Sequence, residues 1–578
     1  MMRPLRLLLP LLACAWLSAC ASPATTQGPV AEMVSARQTT AEPFVIAANP
    51  LATQAGLNVL KRGGSAVDAA IAVQAMLSLV EPQSSGVGGG AFMTYYDANS
   101  GKVVVYNGRE VAPAQASPTM FLRADGSPLS FDEAVVSGRA TGVPGAVKML
   151  SVAHEERGKL PWKSLFSDAE QTAREGFIVS PRLDRMVHAD YAENHAPDVI
   201  AYFSQGPGGR LVQAGDRLTN KPYADFLVRL ADQGPAALYS GSTAAKVVER
   251  TRAGALPGSM TMADLAAYRP VKRDALCRPY RIYVMCVPPP PSSGVGLIEL
   301  MNMLERTDIA QRGPNDPQSW YLFAEASRLM YADRDRYVGD VPNVPIEGLL
   351  DPTYVASRAK LIGPAAGPPP SAGVPAGALV AAKDTTYEPT GTSHVIVRDA
   401  DGNVVSMTTT VENIFGSGRM VDGFFLNNQM TDFAFSPVDG QGRPAVNAVA
   451  PGKRPRSSMV PTILLTQDGK FAGAIGSAGG NAIIAYVAKS LVAAVDWNMP
   501  MSQALAAPNL VARGPAFQGE VTKFTPEILE GLRQRGIDLK PGQGEDSGLT
   551  GVMIRNGRID GAADPRREGI VLTLPKQP

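Results

Sequence analysis

The chain carries no surplus of charge: 54 Lys and Arg against 53 Asp and Glu leave a formal net charge of +1 over 578 residues. Nucleic-acid readers carry a basic excess, so this balance argues for a small-molecule or peptide substrate and against a polyanion. Histidine is scarce, with His154, His188, His195 and His394 in the whole chain. None stands in a context that would serve a Ser-His-Asp triad, so Ser547 in Glu545-Asp546-Ser547-Gly548 lacks the base a serine nucleophile needs. Cysteine is equally rare, at Cys14, Cys20, Cys277 and Cys286. No histidine lies at ligand spacing from Cys277 or Cys286, and neither a metal nor a cofactor is expected. No apolar run reaches the roughly 20 residues of a membrane-spanning helix, and there is no internal repeat.

What is present begins with an export signal. Arg3 and Arg6 precede an apolar run from Leu7 to Trp16 that closes on Leu17-Ser18-Ala19-Cys20. That ending resembles a bacterial lipobox, which makes residues 1–19 a signal peptide and Cys20 a lipidated first residue, holding a periplasmic protein on a membrane surface. A plain secretory peptide cut nearby is the alternative. Residues 20–37 are small and polar and suit a flexible tether. Export permits disulfides. Cys277 and Cys286 either close a hairpin, which needs Cα atoms within about 7 Å, or remain two buried thiols.

Further on, Pro43 to Ala48 reads as a strand, and Leu51, Leu57 and Leu60 as one face of a helix stopped by Gly63-Gly64. A second, largely apolar helix begins at Asp68 and ends near Pro82. Gly86-Val87-Gly88-Gly89-Gly90-Ala91 follows a helix and precedes a strand, the reverse of a dinucleotide-binding turn, so its glycines are structural, with a possible active-site edge. Ala324 to Tyr337 is a helix, Val287 to Gly294 a rigid turn, and 361–391 a Gly, Pro and Ala-rich, weakly packed segment. Two strands follow, Thr392 to Arg398 and Val404 to Val411, joined by a hairpin turn, Asp399 to Asn403. This pairing brings Thr410 near Thr392. A threonine hydroxyl is a poor nucleophile until a base sits beside it, and an α-amino group freed on the same residue is such a base.

Gly63-Gly64-Ser65-Ala66-Val67-Asp68, Ser84-Ser85-Gly86-Val87-Gly88-Gly89-Gly90, Gly108-Arg109-Glu110, Ala332-Asp333-Arg334, Asn427-Asn428-Gln429, Arg454-Pro455-Arg456-Ser457-Ser458-Met459 and Asp564-Pro565-Arg566-Arg567 occur in that order. By these motifs the chain resembles the gamma-glutamyltransferases, N-terminal-nucleophile hydrolases, through nearly its whole mature length. The resemblance implies an α+β fold, a four-layer αββα sandwich formed as one domain by two chains. It also implies a precursor that cuts itself between Gly391 and Thr392 into a large subunit, 38–391, and a small one, 392–578, which stay together as a heterodimer. Thr392 would then attack γ-glutamyl amides, glutathione above all, and pass the acyl group to water or to an amino-acid or peptide acceptor. By the same resemblance Thr410 hydrogen-bonds the nucleophile, Gly479 and Gly480 form the oxyanion hole, Arg109 with Ser457 and Ser458 holds the α-carboxylate, and Glu412, Gln429 and Asp432 hold the α-ammonium.

The chain departs from the family in three places. Glu412 stands where many members have asparagine, Ser393 replaces a common threonine, and the lid segment from Ala434 to Val446 has no tyrosine. Closure over the substrate by that side chain is therefore not available, and water competes with amine acceptors. Cephalosporin acylases resemble this chain too; their acyl group has no α-ammonium, and two buried carboxylates without a cation would be costly there. A non-catalytic surface lipoprotein is the remaining alternative, set against the joint presence of Thr392, Thr410, Arg109 and Gly479-Gly480.

Overall fold

Alternation along short strands sets the architecture. In the computed structural model, which describes residues 42–384, 386–542 and 547–574, every residue of strand β1 (Phe44–Ala47) is buried. Val45 and Ala47 face a core shared with helices, whereas Phe44 and Ile46 face a second sheet. Successive side chains point to opposite faces of a strand, so β1 is apolar throughout because both faces are covered. The signal segment, Cys20 and the tether lie outside the described residues.

The other principal strands are β2 (Gly90–Tyr96), β3 (Val103–Gly108), β4 (Val271–Asp274), β5 (Leu276–Tyr280), β6 (Tyr283–Val287), β7 (Gly391–Arg398), β8 (Val404–Glu412), β9 (Thr462–Thr466), β10 (Phe471–Gly476), β11 (Thr550–Arg555), β12 (Arg558–Ala563) and β13 (Ile570–Thr573). They form a seven-stranded sheet ordered β13-β1-β7-β8-β2-β3-β4 and a six-stranded sheet ordered β12-β11-β10-β9-β6-β5. All neighbours in both are antiparallel. Phe44, Ile46, Ile396 and Val404 of the first sheet meet Cys286, Ile463, Ala474 and Val552 of the second in one apolar layer.

Helices cover the outer faces. α1 (Pro50–Lys61) and α2 (Ala66–Val80) pack on the first sheet, and α3 (Gly294–Leu304), α4 (Pro317–Tyr337) and α5 (Ile483–Leu491) on the second. The α+β, four-layer αββα sandwich expected from the sequence is thus the observed fold. α2 starts two residues before the sequence reading, because Ser65 and Asp68 close a capping box around its first turn. α4 starts seven residues earlier than read, where Asp316 caps it and Pro317 opens it. Its first turns hold Trp320, Tyr321, Leu322 and Phe323, all buried, so no polar face marked them as helical.

The open question of Cys277 and Cys286 resolves as a disulfide across the β5–β6 hairpin, with Cα atoms 4.1 Å apart. It fastens the edge of the second sheet. The cross-link spans a sequence separation of 9 residues, so losing it costs about 2–3 kcal/mol of loop entropy. In a chain of this size we expect the Cys277→Ser/Cys286→Ser protein to unfold about 2 °C lower, read by calorimetry.

Candidate active site

The polar end of the inter-sheet layer is built by the same alternation. Along β7 the residues facing the second sheet are Thr392, His394 and Ile396, and along β8 they are Val404, Ser406, Thr408 and Thr410. His394 fills the space left by Gly476, where a Cβ would lie 2.2 Å from its ring, and shares hydrogen bonds with Thr408 and Ser406. Burial drives its pKa down to about 3, so the imidazole is neutral and structural.

Thr392 and Thr410 are directly opposed in the β7–β8 ladder. Thr392 Oγ1 donates to Thr410 Oγ1 at 3.3 Å, and Thr410 Oγ1 donates in turn to the Gly391 carbonyl. The Glu412 backbone N–H holds Thr410 Oγ1 from the other side at 2.7 Å. A bulge between Thr410 and Glu412, with Glu412 at φ +86, turns the Glu412 carboxyl out of the ladder into the cleft. Gly89 lets the preceding turn approach: a Cβ there would lie 1.9 Å from the Thr410 carbonyl oxygen. The glycine-rich turn is therefore structural and also borders the site.

Arg109, Thr392, Thr410, Glu412, Gln429, Asp432, Ser457, Ser458 and Gly480 all line one narrow cleft, and Gly391 and Gly479 adjoin it in sequence. β10 ends at Gly476 and leads through Ser477 and Ala478 into the Gly479-Gly480 turn. Those glycines have φ of +128 and +54, a region open to glycine. A Cβ on Gly480 would also meet the Pro389 carbonyl oxygen at 2.0 Å.

Charge at one end of the cleft is out of balance. Arg109 is the guanidinium beside three buried carboxyls: it pairs with Asp432 and lies 3.7 Å from Glu110, while Glu412 touches Asp432. Burial raises the pKa of all three, Glu110 to about 8, and the mutual repulsion of Glu412 and Asp432 raises Glu412 further. Asn428 donates to Glu412 and Gln429 Nε2 to Asp432 at 2.8 Å. Arg109 also donates to the Arg456 carbonyl at 2.7 Å. Its guanidinium, read from the sequence as a carboxylate holder, is thus engaged within the protein.

Sequence reading missed Glu388. The segment 361–391 is open along much of its length, with Val374 83% and Val380 78% exposed, but its end is pinned. Asp384 and Glu388 are buried, and Glu388 accepts from Ser458 Oγ at 2.6 Å and from Arg334 Nη2 at 2.7 Å. This segment also touches the lid: Ala382 bridges to Ala445, and Asn447 Nδ2 donates to Asp384 at 2.9 Å. No local sequence signal marked Glu388, because the groups that hold it are distant along the chain. Arg567 was also unassigned; its Nη1 donates to the Thr392 carbonyl at 2.7 Å. Ser547 donates to Asp564 at 2.6 Å and accepts from Asn509, the pattern of a structural serine.

Two antiparallel sheets stacked between helical layers are the fold of the N-terminal-nucleophile hydrolases. Within that class the chain belongs to the gamma-glutamyltranspeptidase family, whose profile it matches over residues 52–574. It is 34% identical to the glutathione hydrolase proenzyme of Bacillus subtilis strain 168, covering 92% of this chain and 91% of that one. It is 32% identical to the acylase ACY 1 proenzyme of Pseudomonas sp. strain SE83, covering 92% and 93%. The structure of the cephalosporin acylase from Bacillus halodurans superposes with a TM-score of 0.80 at 26% identity, over 93% of this chain and 96% of that one. The protein is therefore an enzyme of the γ-glutamyl transpeptidase type.

The Gly89→Ala substitution drives a Cβ into the Thr410 carbonyl and is expected to cost about 1–3 kcal/mol. Its thermal midpoint should fall well below that of Gly440→Ala, whose Cβ meets nothing within 4 Å.

Proposed function

We propose that the chain cuts itself between Gly391 and Thr392 and then works as a γ-glutamyl hydrolase and transferase, with glutathione as the expected donor. The relay from Thr392 Oγ1 through Thr410 Oγ1 to the Gly391 carbonyl supports the first step. Thr392 Oγ1 attacks the Gly391 carbonyl carbon, and as its proton passes to Thr410 Oγ1 the Thr410 proton passes to the developing oxyanion. The C–N bond breaks, the Thr392 nitrogen takes a proton, and water hydrolyses the resulting ester. The products are a Gly391 carboxylate and a Thr392 with both hydroxyl and free amine. The word proenzyme in the relatives' names agrees with this reading.

In the cut protein the Thr392 amine, with a reference pKa of about 7.7–8.0, takes the hydroxyl proton as Oγ1 attacks the γ-carbonyl carbon. Backbone N–H groups at Gly479 and Gly480 receive the oxyanion. The departing amine takes the proton, and water or an acceptor amine releases the γ-glutamyl group from its ester. Residues 38–391 and 392–578 form the two subunits. Export, with an anchor on Cys20, holds the enzyme in the periplasm at a membrane surface; among the described residues no helix is long and apolar enough to cross it.

One observation favours a γ-glutamyl over a glutaryl donor: three buried carboxyls, Glu412, Asp432 and Glu110, gather around the guanidinium of Arg109. Such a site takes a cation in exchange for a proton. A γ-glutamyl group brings an α-ammonium; a glutaryl group does not. The acylase reading stands second, supported by the 32% identity to acylase ACY 1.

The purified Thr392→Ala protein should run as one chain where the parent runs as two, and a Thr392→Ala protein that still splits sinks the cleavage site. The parent should release anilide from γ-glutamyl anilide at least about tenfold faster than from glutaryl anilide; equal use moves the enzyme to the acylases. The pKa of Glu412 is raised, so the empty site keeps a proton that the ammonium must displace. KM for γ-glutamyl anilide should accordingly fall as pH rises toward that pKa, and Glu412→Gln should flatten this limb.

A further inference from the structure

The turn that carries Gly479 and Gly480 has little to fix it from within. Two consecutive glycines at positive φ reach conformations closed to other residues, and the same freedom lets their N–H groups swing away from any one direction. The turn's own hydrogen bond runs from the Ala482 N–H to the Gly479 carbonyl at 3.1 Å, within one short 3-10 turn, Gly480–Ala482, that leads into α5. Donors stabilise an oxyanion when they are already aimed at it from about 3 Å, so a loose turn costs rate and not substrate binding.

Two aromatic side chains hold this turn from the helical side. The ring of Tyr486, on α5, lies against Gly479, where a Cβ would come within 2.4 Å of Cε2. Tyr331, on α4, is buried, and its hydroxyl donates to the Asn481 carbonyl at 2.6 Å. The Tyr331 ring is itself fixed. The Arg513 guanidinium sits 5.6 Å from its centroid, and Arg513 Nε donates at 2.9 Å to Asp335, one turn further along the same helix. Burial raises the pKa of the phenol, so it keeps the proton it donates.

In the uncut chain the turn has a second support. Glu388, whose carboxylate lies among Arg334, Arg456 and Ser458, turns its backbone carbonyl to the Asn481 N–H at 3.2 Å. The Glu388 and Pro389 carbonyls also crowd Gly480, where a Cβ would meet them at 2.3 and 2.0 Å. Both residues line the cleft, so a substrate needs them gone. Under the proposed cleavage these contacts leave with the new chain end, and the Tyr331 bond stays. It joins a helix of the large subunit to a turn of the small one.

Resting on the functional reading above, we propose that Tyr331 is a positioning residue for the reaction: its hydrogen bond to the Asn481 carbonyl keeps the Gly479 and Gly480 N–H groups aimed at the oxyanion once the segment before Gly391 has withdrawn. Tyr331 lies behind the turn, outside the set of residues that lines the cleft. Its removal therefore weakens the hold on tetrahedral states and spares the hold on planar ones.

The test compares two inhibitors of γ-glutamyl anilide hydrolysis by the cut enzyme. One is the boronic acid analogue of the γ-glutamyl group, whose boron bonds Thr392 Oγ1 and carries an anionic oxygen; the other is L-glutamate, which stays planar at its γ-carbon. Tyr331→Phe should weaken the boronate at least about fivefold, the worth of one hydrogen bond, and L-glutamate less than about twofold. Its kcat should fall by a factor similar to the boronate's, with KM changed less than about twofold. Inhibition constants do not depend on the fraction of protein that folds, so a merely structural role leaves their ratio where it was. Should Tyr331→Phe stay uncut, the ratio is read in Tyr331→Met, which fills the space of the ring without a donor and should lower the ratio at least about threefold. An unchanged ratio, or an equal loss for both inhibitors, overturns the role of Tyr331 and leaves the functional reading standing. A parent enzyme that neither inhibitor touches overturns that reading, and this proposal with it.

Discussion

The register of one buried strand pair governs the rest of the site. β7 and β8 lie in the middle of the first sheet, with helices on one side and the second sheet on the other. A slip of one residue would turn every side chain of a strand to the opposite face. Thr392 would then point at the helical layer and Val395 at the second sheet. The apolar end of the pair, with Ile396 and Val404 packed between the sheets, pins the register by burial. The polar end inherits its geometry from that packing.

The cleft is a small electrostatic device built from groups that are individually expensive. Arg109, Arg334 and Arg456 are almost wholly buried, and each would be destabilising alone. They persist because each has a carboxylate and a set of carbonyl or hydroxyl oxygens around it. At one end acidic groups outnumber basic ones, so protons make up the difference; at the other a residue of the chain itself does.

Much of this was legible from the sequence, and the losses have physical causes. The strand runs at 43–48, 392–398 and 404–411, the Gly63 helix stop and the glycine-rich turn before β2 are local signals and fell where they were read. The starts of α2 and α4 were misread because caps and an unbroken apolar run carry no periodicity. Thr392, Thr410 and the pocket residues were named by resemblance to a family, and the fold brings them to one cleft. Glu388 escaped because its partners, Arg334, Arg456 and Ser458, stand 54, 68 and 70 positions away. Composition marked its segment as loose; only distant contacts pin its end.

The strand order has a further consequence. β7 and β8 enter the first sheet between β1 and β2, and β13 closes it beyond β1, so segments from either side of residue 392 alternate across the sheet. In the second sheet β5 and β6 complete a run begun by β9 to β12. A chain severed at that point would be two interleaved pieces that part only by opening a central sheet. Having lost the covalent link that guided folding, they would have no intramolecular route back. Its endurance would then be set by the height of the unfolding barrier, and heat damage would be permanent.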